Sequence, residues 1–582
     1  MHGSLHPRVV ADAKASPNAF PASKISSWPT SDIGTVILHW TAAVAMIVSL
    51  FTGLRITADH PNSVVAKALS PILPQGEIWT WHFVAGLALF FSSTAYALYM
   101  LRSGLANRVA LKKLQVLTMP VAPKLRWGAV NVALHWALYA LVAVLTATGI
   151  LLYLGHGGVV VTIHVVSAFA TLGYILAHLV GHFGYGGWLQ LLRVLRPARL
   201  VPSRGMRAKP LLAATAAGVA VAGGVAGADI ATRDILVVKA VSTTPKLDGH
   251  LDDAVWSTAR PVRVRTQQGV NLGGTGESTV EVRAVRDEKK IYFAFRWEDP
   301  TRSLFRLPMV KQADGWHVIG HKAGSADVSD FYEDKFAVIF SASNAFGGGG
   351  GTHLGPRPVA DRPSSLNERG LHYTTDGSYI DMWQWKASRG GLLGVMDDQY
   401  MGPIRQATAD EAAKRARYQG GYWNDPGKTL YSYNFPFEGP GGYQNAVVPK
   451  RLPKDPKAIA AAMGAFDPAN PDAHAGEGAK TWLLDSESMP YTAEADAAIP
   501  VGTVMPGVLI AGQPEGDRAH LNAGARWENG HWMLEVSRDL VTGSQYDKDF
   551  VAGQPLYMWV SVFDHTQTRH TRHVRPVTIE LR

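Results

Sequence analysis

The sequence predicts an N-terminal all-α transmembrane four-helix bundle with a fifth span, followed by a C-terminal mainly-β sandwich domain. Two observations predict this division. Residues 1–228 hold 17 Lys and Arg against 4 Asp and Glu and contain long apolar runs, whereas residues 229–582 hold 39 against 43 and alternate in short runs. Basic charge confined to an apolar region indicates membrane topology and argues against a nucleic-acid partner.

The chain contains no cysteine. This composition excludes thiolate-held iron–sulfur clusters, covalent c-type haem, thiolate zinc sites and disulfides. Any cofactor must therefore be held by His, Met, Lys or carboxylate side chains.

Apolar segments define the spans. Four of them, at about 33–56, 79–101, 128–154 and 159–181, are long enough to cross about 30 Å of hydrocarbon at a helical rise of about 1.5 Å per residue. The fifth, LLAATAAGVAVAGGVAGA at 211–228, is shorter, and its Ala-Gly-Ala end resembles a signal-peptide cleavage site. We interpret it as an uncleaved span.

Basic residues predict the orientation. Residues 102–126 and 193–209 each carry six Lys or Arg and no acid, whereas residues 154–162 carry no Lys or Arg. Because basic connections stay on the cytoplasmic side, we expect a cytoplasmic N-terminal segment, residues 1–29, and a periplasmic C-terminal domain on a bacterial inner membrane. The remaining boundaries place a membrane domain at 30–200 and a basic linker with the fifth span at 201–232.

Four histidines lie at two matched depths in these spans. His164 and His178 are fourteen residues apart in one helix, so they share a face and are separated by about 21 Å along its axis. The first span begins on the side of the membrane where the fourth ends, so His39 is level with His178. The second span begins on the side where the fourth begins, so His82 is level with His164. Two facing imidazoles are what a low-spin b-type haem needs, although a single buried His can also be a polar residue bonded to a backbone carbonyl.

Other polar residues near the spans have less specific expected roles. His135 lies near the layer of His39 and could replace it as a ligand or contact a propionate or a quinone. His182, one turn after His178, is expected at the interface. Arg55 and Arg126 lie near span ends, where they could pair with propionates but are more simply explained by snorkelling to the interface.

Residues 30–200 resemble the bacterial cytochrome b561 and hydrogenase-type cytochrome b superfamily. The resemblance rests on LHW in the first span, WHF in the second and the fourteen-residue histidine pair in the fourth. It implies two b haems with His39, His82, His164 and His178 as axial iron ligands. It also implies contact with membrane lipid and electron exchange between a quinone pool and a partner at the outer face.

Residues 233–582 read as short strands separated by Gly, Pro and Asp, as in TVEVRAVRDEKKIYFAFRWED. Trp256, in KLDGHLDDAVWSTARPV, is expected to pack inward. The region resembles the β-sandwich of family-9 carbohydrate-binding modules and of the haem-binding subunit of ethylbenzene dehydrogenase. FYEDKFAVIF, YIDMWQWKASR, MPYTAEADAAIPVGTVMPG and HTQTRHTRH favour the second relative, which implies one more b haem, held by Met and Lys.

Candidate ligands for this exported haem are Met309 or Met382 for the thioether and Lys386 for the amine. Met382 and Lys386 lie four residues apart in a predicted strand, hence on the same side, so they cannot both bind one iron. Trp383 and Trp385 could provide aromatic walls for a porphyrin or stack on sugar rings. Core packing is the alternative role of the two methionines.

A second candidate lies in the glycine-rich loop GGGTH at 349–353. Some membrane-fused relatives resemble this chain but carry CxxCH there. Gly349 and Thr352 stand at the cysteine positions, so thioether attachment is excluded. Two alternatives stay open: His353 binds a non-covalent b haem, or the loop has lost its haem.

The pattern as a whole predicts a membrane-anchored b-type cytochrome that transfers electrons between the quinone pool and a periplasmic redox protein or oxidoreductase subunit. No nucleophile and base arrangement or phosphate-binding loop stands out in 229–582, so substrate chemistry is assigned to another protein. One alternative is a membrane-tethered carbohydrate-like binding module with a di-haem anchor. Another is a terminal reductase acting at an open haem position.

Overall fold

The computed structural model describes most of the chain. The described residues are 29–59, 63–202, 204–320, 330–344, 350–355, 357–364, 370–413, 417–436, 445–464, 466–470, 474–476 and 478–582. Almost all of the expected cytoplasmic segment 1–29, and Gly349 of the GGGTH loop, lie outside these residues.

The N-terminal region is helical, as predicted, and five of its helices are long and apolar enough to cross a membrane. Asp32 caps the first of these by accepting a hydrogen bond from the Thr35 amide at 2.9 Å. The helices of the described residues are α1 Ile33–Ala58, α2 Val64–Leu69, α3 Ile78–Arg102, α4 Pro123–Tyr153, α5 Val159–Leu191, α6 Pro210–Ala231, α7 Ala409–Ala412, α8 Pro456–Ala462 and α9 Ala493–Ala497.

The long helices pack as two hairpins, α1 with α3 and α4 with α5, and α6 lies against α3. Large apolar side chains, among them Ile37, Val44 and Leu176, remain exposed on the outside of the helices. Such exposure suits a lipid environment. The region is that of a multi-pass membrane protein.

The remainder is mostly β-structure, as predicted. Three short strands lie in the helical region: β1 Ser31–Asp32, β2 Gly76–Glu77 and β3 Pro197–Ala198. The described strands of the β domain are β4 Ile235–Ala240, β5 Val262–Thr266, β6 Ser278–Arg286, β7 Lys290–Glu298, β8 Met309–Gln312, β9 Gly315–Val318, β10 Lys335–Ser341, β11 Gly350–Leu354, β12 Leu371–Thr374, β13 Ile380–Lys386, β14 Asp397–Met401, β15 Tyr422–Asn424, β16 Gly427–Lys428, β17 Tyr431–Tyr433, β18 Arg451–Pro453, β19 Trp482–Leu484, β20 Ser488–Pro490, β21 Val504–Met505, β22 Val508–Ile510, β23 Glu515–Gly516, β24 Asn522–Glu528, β25 His531–Asp539, β26 Leu556–Phe563 and β27 Val577–Leu581.

One long sheet is the largest of the β domain, which also contains smaller sheets of two or three strands. Its strand order is β15-β14-β13-β10-β26-β27-β4-β6-β7-β25-β24, with β5 added beside β6, and only the pairs β27–β4 and β4–β6 within it are parallel. The sheet curls so that its two halves face each other: the Phe293 ring of β7 lies 5.5 Å from Phe340 of β10 and 5.6 Å from Trp383 of β13. Trp256 is buried, as expected, and its Nε1 donates to Glu535 Oε1 at 2.8 Å.

The β domain docks on one end of the helical region. Arg569 Nη1 donates to the Asp59 carbonyl at the end of α1 at 2.6 Å, and Gln267 Nε2 donates to the Leu152 carbonyl at the end of α4 at 2.6 Å. Arg575 pairs with Asp229 near the end of α6 at 2.9 Å. The two basic connections lie at the other end of the same helices, so they and the β domain are on opposite sides.

Candidate haem sites

The structure brings the four predicted histidines together as two pairs. The ring centroids of His39 in α1 and His178 in α5 are 6.3 Å apart, and those of His82 in α3 and His164 in α5 are also 6.3 Å apart. The ring planes meet at 27° in the first pair and at 74° in the second. We call these pairs the inner and the outer layer, the outer one being nearer the β domain.

The separation fits an iron atom between the rings. A transition metal binds imidazole nitrogen at about 2 Å, and that nitrogen lies about 1 Å from the ring centre, so a bis-imidazole iron separates the centroids by about 6 Å. Both pairs match this value. The residues present therefore fit a b-type haem in each layer.

Hydrogen bonds fix the tautomers of the outer layer. His82 Nδ1 is 3.1 Å from the Ser49 carbonyl, which can only accept, so Nδ1 carries the proton. Thr148 Oγ1 donates to the Val144 carbonyl at 2.7 Å and thus accepts from His164 Nδ1 at 2.8 Å. In both rings Nε2 is left as the free lone pair that a metal requires.

Two glycines give the outer layer its space. A Cβ at Gly53 would lie 3.2 Å from His82 Cε1, and one at Gly149 would lie 3.7 Å from His164 Cε1. Each glycine follows a threonine that contacts the same histidine, since Thr52 Oγ1 is 3.0 Å from His82 Nδ1. In both spans the glycine of this Thr-Gly pair lies fourteen residues after the histidine of LHW. The repeated pair is a sequence signal for the outer layer that an analysis of histidine spacing alone does not use.

The inner layer holds more imidazoles than one pair. His135 is 6.1 Å from His178 between ring centroids, and His182 is 4.5 Å from it. His135 Nδ1 donates to the Asn131 carbonyl at 2.6 Å, which leaves its Nε2 free. By geometry His135 is therefore as able as His39 to face His178, and the His182 ring joins the same group of imidazoles.

The two span-end arginines differ in their contacts. Arg55 is buried and donates to the Pro74 carbonyl through Nε at 2.8 Å and to Ser70 Oγ through Nη1 at 2.7 Å. It is thus held by the connection that follows α2. Arg126 is exposed and donates to the Met119 carbonyl at 3.2 Å.

His353 of the β domain is paired with the residue that precedes α3, the helix that carries His82. It is the cross-strand partner of Glu77, which directly precedes α3 and is five residues before His82. Its Nε2 is buried with no hydrogen-bond partner among the described residues, and burial lowers the pKa of the imidazole. A neutral ring with an unpartnered buried nitrogen is suited to bind iron.

Met382 and Lys386 share one face of β13, as predicted from their spacing. Their cross-strand partners are Ile339 and Lys335 of β10. The expectation for Trp383 and Trp385 is wrong: both are fully buried on the opposite face, inside the curled sheet, so they contact neither a sugar nor a porphyrin there.

Lys386 and Met309 already have protein partners. The Lys386 ammonium is paired with Asp397 and lies 3.2 Å from Tyr431 Oη. Burial would raise the pKa of Asp397, but Lys386 and Arg518 bring it down to about 2. Met309 is fully buried in an apolar cluster with Trp316 and Phe435, a setting that matches core packing.

The sequence did not reveal a buried group of positive charges at the end of β10 and β13. Tyr332, Tyr431 and Tyr433 separate its members, which contact these rings or the adjacent carboxylates. We call this group the cationic cluster; it comprises Arg306, Lys335, Lys386, Arg389 and Arg518.

The cationic cluster has a surplus of charge. Asp397 and Glu333 neutralise part of it. Among the described residues, Nε and Nη1 of Arg306 have no hydrogen-bond partner although both are buried. Burial, with Arg389 and Lys386, lowers the pKa of Lys335 well below its usual value. Lys335 Nζ donates to the Gln567 carbonyl at 2.8 Å, so the unsatisfied donors are those of Arg306, and a carboxylate such as a haem propionate would satisfy them.

Two known protein families match this chain, one in the helical region and one in the β domain. A family model described as ethylbenzene dehydrogenase matches residues 253–575, and one described as prokaryotic cytochrome b561 matches residues 30–196. The second match identifies the helical region as that of a membrane b-type cytochrome that transfers electrons. No curated protein matches the chain significantly.

Solved structures add little. A family-9 carbohydrate-binding module from Caldicellulosiruptor kristjanssonii in complex with glucose is 7% identical, covering 60% of this chain and 95% of its own, with a TM-score of 0.22. A putative carbohydrate-binding protein from Bacteroides uniformis is 8% identical, covering 60% and 100%, with a TM-score of 0.22. At these scores the likeness carries no argument.

Proposed function

Since the chain belongs to the ethylbenzene dehydrogenase family and carries a cytochrome b561 region before that domain, we propose that it transfers electrons between the quinone pool and a periplasmic redox partner. Two transmembrane haems and one exported haem would form the path. The observation that carries the proposal is the pair of facing histidines in each layer, both at 6.3 Å.

In this proposal His39 and His178 hold the inner haem, and His82 and His164 hold the outer one. When bound, each haem supplies a one-electron iron couple. The chain keeps the imidazoles neutral and oriented: Thr148 and the Ser49 carbonyl hold the Nδ1 protons of the outer pair. The apolar faces of the spans exclude water. His135 is the alternative inner ligand or a contact for a propionate or quinone.

The proposed orientation follows from charge. The basic connections 102–126 and 193–209 would face the cytoplasm with residues 1–29, and residues 233–582 would face the periplasm of a bacterial inner membrane. The membrane domain would comprise 30–200, with the linker and fifth span at 201–232. This places the β domain where a periplasmic redox protein or oxidoreductase subunit can reach it.

For the exported haem, His353 is the best supported of the four candidates, because its Nε2 is buried and unpartnered among the described residues. Met382 is the remaining candidate for the second ligand, since Lys386 is ion-paired and Met309 is packed in a core. Arg306 and Lys335 would hold the propionates.

The test is haem counting on the full chain in detergent, by the pyridine haemochrome method with a redox titration. We expect three b haems, reducible by a short-chain quinol. His353→Ala should remove one, whereas His317→Ala, whose Nε2 lies 2.9 Å from Asp314 Oδ1 in the β domain, should remove none. Two haems in the native chain, unaffected by His353→Ala, would eliminate the exported centre. Fewer than two would overturn the transmembrane path.

A further inference from the structure

Four buried carboxylates meet at the end of the curled sheet. Asp381 lies on β13, Asp398 on β14 and Asp425 directly after β15, while Asp547 lies in the connection between β25 and β26. None is more than 7% exposed. The ligand atoms of Asp398, Asp547 and His520 all lie within 4.8 Å of one another.

Protein groups compensate only part of this charge. The Arg538 guanidinium is paired with Asp381 and lies 3.9 Å from Asp547 Oδ2, and His520 Nδ1 is 3.1 Å from the same oxygen. Among the described residues, six carboxylate oxygens are buried with no hydrogen-bond partner: both of Asp398, both of Asp425, and Oδ1 of Asp381 and Asp547. Unpaired buried carboxylates are unfavourable.

The carboxylates repel one another. Burial and the charges of Asp547 and Asp381 raise the pKa of Asp425 to about 8. Burial and the charges of Asp381 and Asp547 also raise the pKa of Asp398 well above its usual value. A divalent cation would relieve this repulsion and satisfy the free oxygens.

The chemistry of the available ligand atoms indicates which cation the site would bind. Four carboxylates supply hard oxygen ligands, which suit Ca²⁺ because it accepts six to eight oxygens, about 2.3–2.6 Å away, in a flexible geometry. His520 contacts the site by bonding to Asp547, so it fits the role of an outer residue that orients a ligand. Zn²⁺ would need more nitrogen or sulfur donors than these residues offer.

We propose that Asp381, Asp398, Asp425 and Asp547 form a Ca²⁺ site that joins the two ends of the curled sheet. Asp381, Asp398 and Asp425 belong to the end formed by β15, β14 and β13. Arg538 on β25, with His520 and Asp547 from the connections beside β24 and β25, belongs to the other end. The site is independent of the proposed electron path and acts on the closure of the domain.

The experiment uses the full chain in detergent, freed of metal with EGTA and then given CaCl2 or TbCl3. We expect one Ca²⁺ per chain by elemental analysis and a rise in Tm of at least about 5 °C on Ca²⁺ addition. Tb³⁺ should luminesce on tryptophan excitation, because Trp383 is the cross-strand partner of Asp398.

Two variants and a control complete the test. Asp398→Asn and Asp425→Asn should weaken Ca²⁺ binding at least about tenfold and should reduce the rise in Tm that Ca²⁺ produces, since each removes an oxygen ligand. Asp252→Asn, at an exposed aspartate, should change neither property. Absence of Ca²⁺ and of a Tm shift in the native chain, another metal in its place, or unchanged affinity in both variants would overturn the site.

Discussion

The outer and inner histidine layers are built from the same repeated sequence but differ in content. LHW is followed fourteen residues later by a glycine in both α1 and α4, and the outer layer keeps this symmetry, with Thr52 and Gly53 at His82 and Thr148 and Gly149 at His164. Fourteen residues beyond these histidines the symmetry ends, because α3 has Tyr96 where α5 has His178.

This difference shows that a sequence repeat can determine the ligand pair of one site without determining which imidazoles form the pair in the other. In the outer layer each imidazole has one facing partner. In the inner layer His178 faces His39 at 6.3 Å and His135 at 6.1 Å, with His182 beside it. The outer layer should therefore be specific and the inner layer tolerant of substitution.

The largest expected effect is at His164. His164→Ala removes half of the outer pair, and no other described histidine ring faces His82 at this depth, so we expect complete loss of the outer haem. His156→Ala, in the α4–α5 connection where its Nδ1 is 2.8 Å from Arg265, is the matched control. Pyridine haemochrome counting measures the result; a full haem complement in His164→Ala would break the proposed assignment.

A smaller effect is expected in the inner layer. His39→Ala should reduce the inner haem only partly, because His135 presents a free Nε2 to the same ring. The double variant His39→Ala/His135→Ala should lose it completely. If His39→Ala alone abolishes the inner haem and His135→Ala has no effect, the inner layer is as specific as the outer one, and the comparison fails.

A variant of Gly53 tests whether this glycine provides room for the outer haem beside His82. Gly53→Val places methyl groups against His82 and should lower the occupancy of the outer haem, because even a Cβ there is 3.2 Å from the ring. Gly223→Val, in α6, which carries no histidine, meets no atom within 4 Å of its Cβ and serves as control. The outer-haem fraction is read from the redox titration; equal occupancy in the two variants would show that Gly53 does not provide the space.

The smallest effect concerns the hydrogen bond to His164. Thr148→Val removes the acceptor of the Nδ1 proton, makes the imidazole a weaker donor to iron and should raise the outer midpoint potential by tens of millivolts. This follows from a net hydrogen-bond free energy of about 1 kcal/mol and about 59 mV per factor of ten. Thr57→Val, whose hydroxyl donates to the Gly53 carbonyl of its own helix, should not shift it.

The sequence allowed the helical part to be predicted more fully than the β domain, for a physical reason. A membrane span must satisfy its backbone internally, so length and hydropathy fix α1, α3, α4, α5 and α6, and a fourteen-residue spacing then fixes depth. The pairing of His82 with His164 could be predicted because both depend on this regular geometry.

In the β domain, alternation predicted strands but not contacts. Which strands of the curled sheet face each other depends on long-range pairing. The sequence therefore could not indicate that Trp383 points into the core or that Lys386 forms an ion pair with Asp397. The cationic cluster and the acidic site arise from residues more than a hundred positions apart, such as Arg306 with Tyr433. No local pattern encodes such a meeting.

The contacts between the β domain and the helix ends determine how the two regions can move. Asp59 lies 3.6 Å from Arg569 and 3.8 Å from Arg572, which also covers the Trp79 ring, while Arg575 holds Asp229 on the far side. A domain clamped at several points is not a swinging arm on a linker. A redox centre bound in it would stay at a constant distance from the outer layer, so electrons would cross this junction without a diffusional search and at a rate insensitive to solvent viscosity.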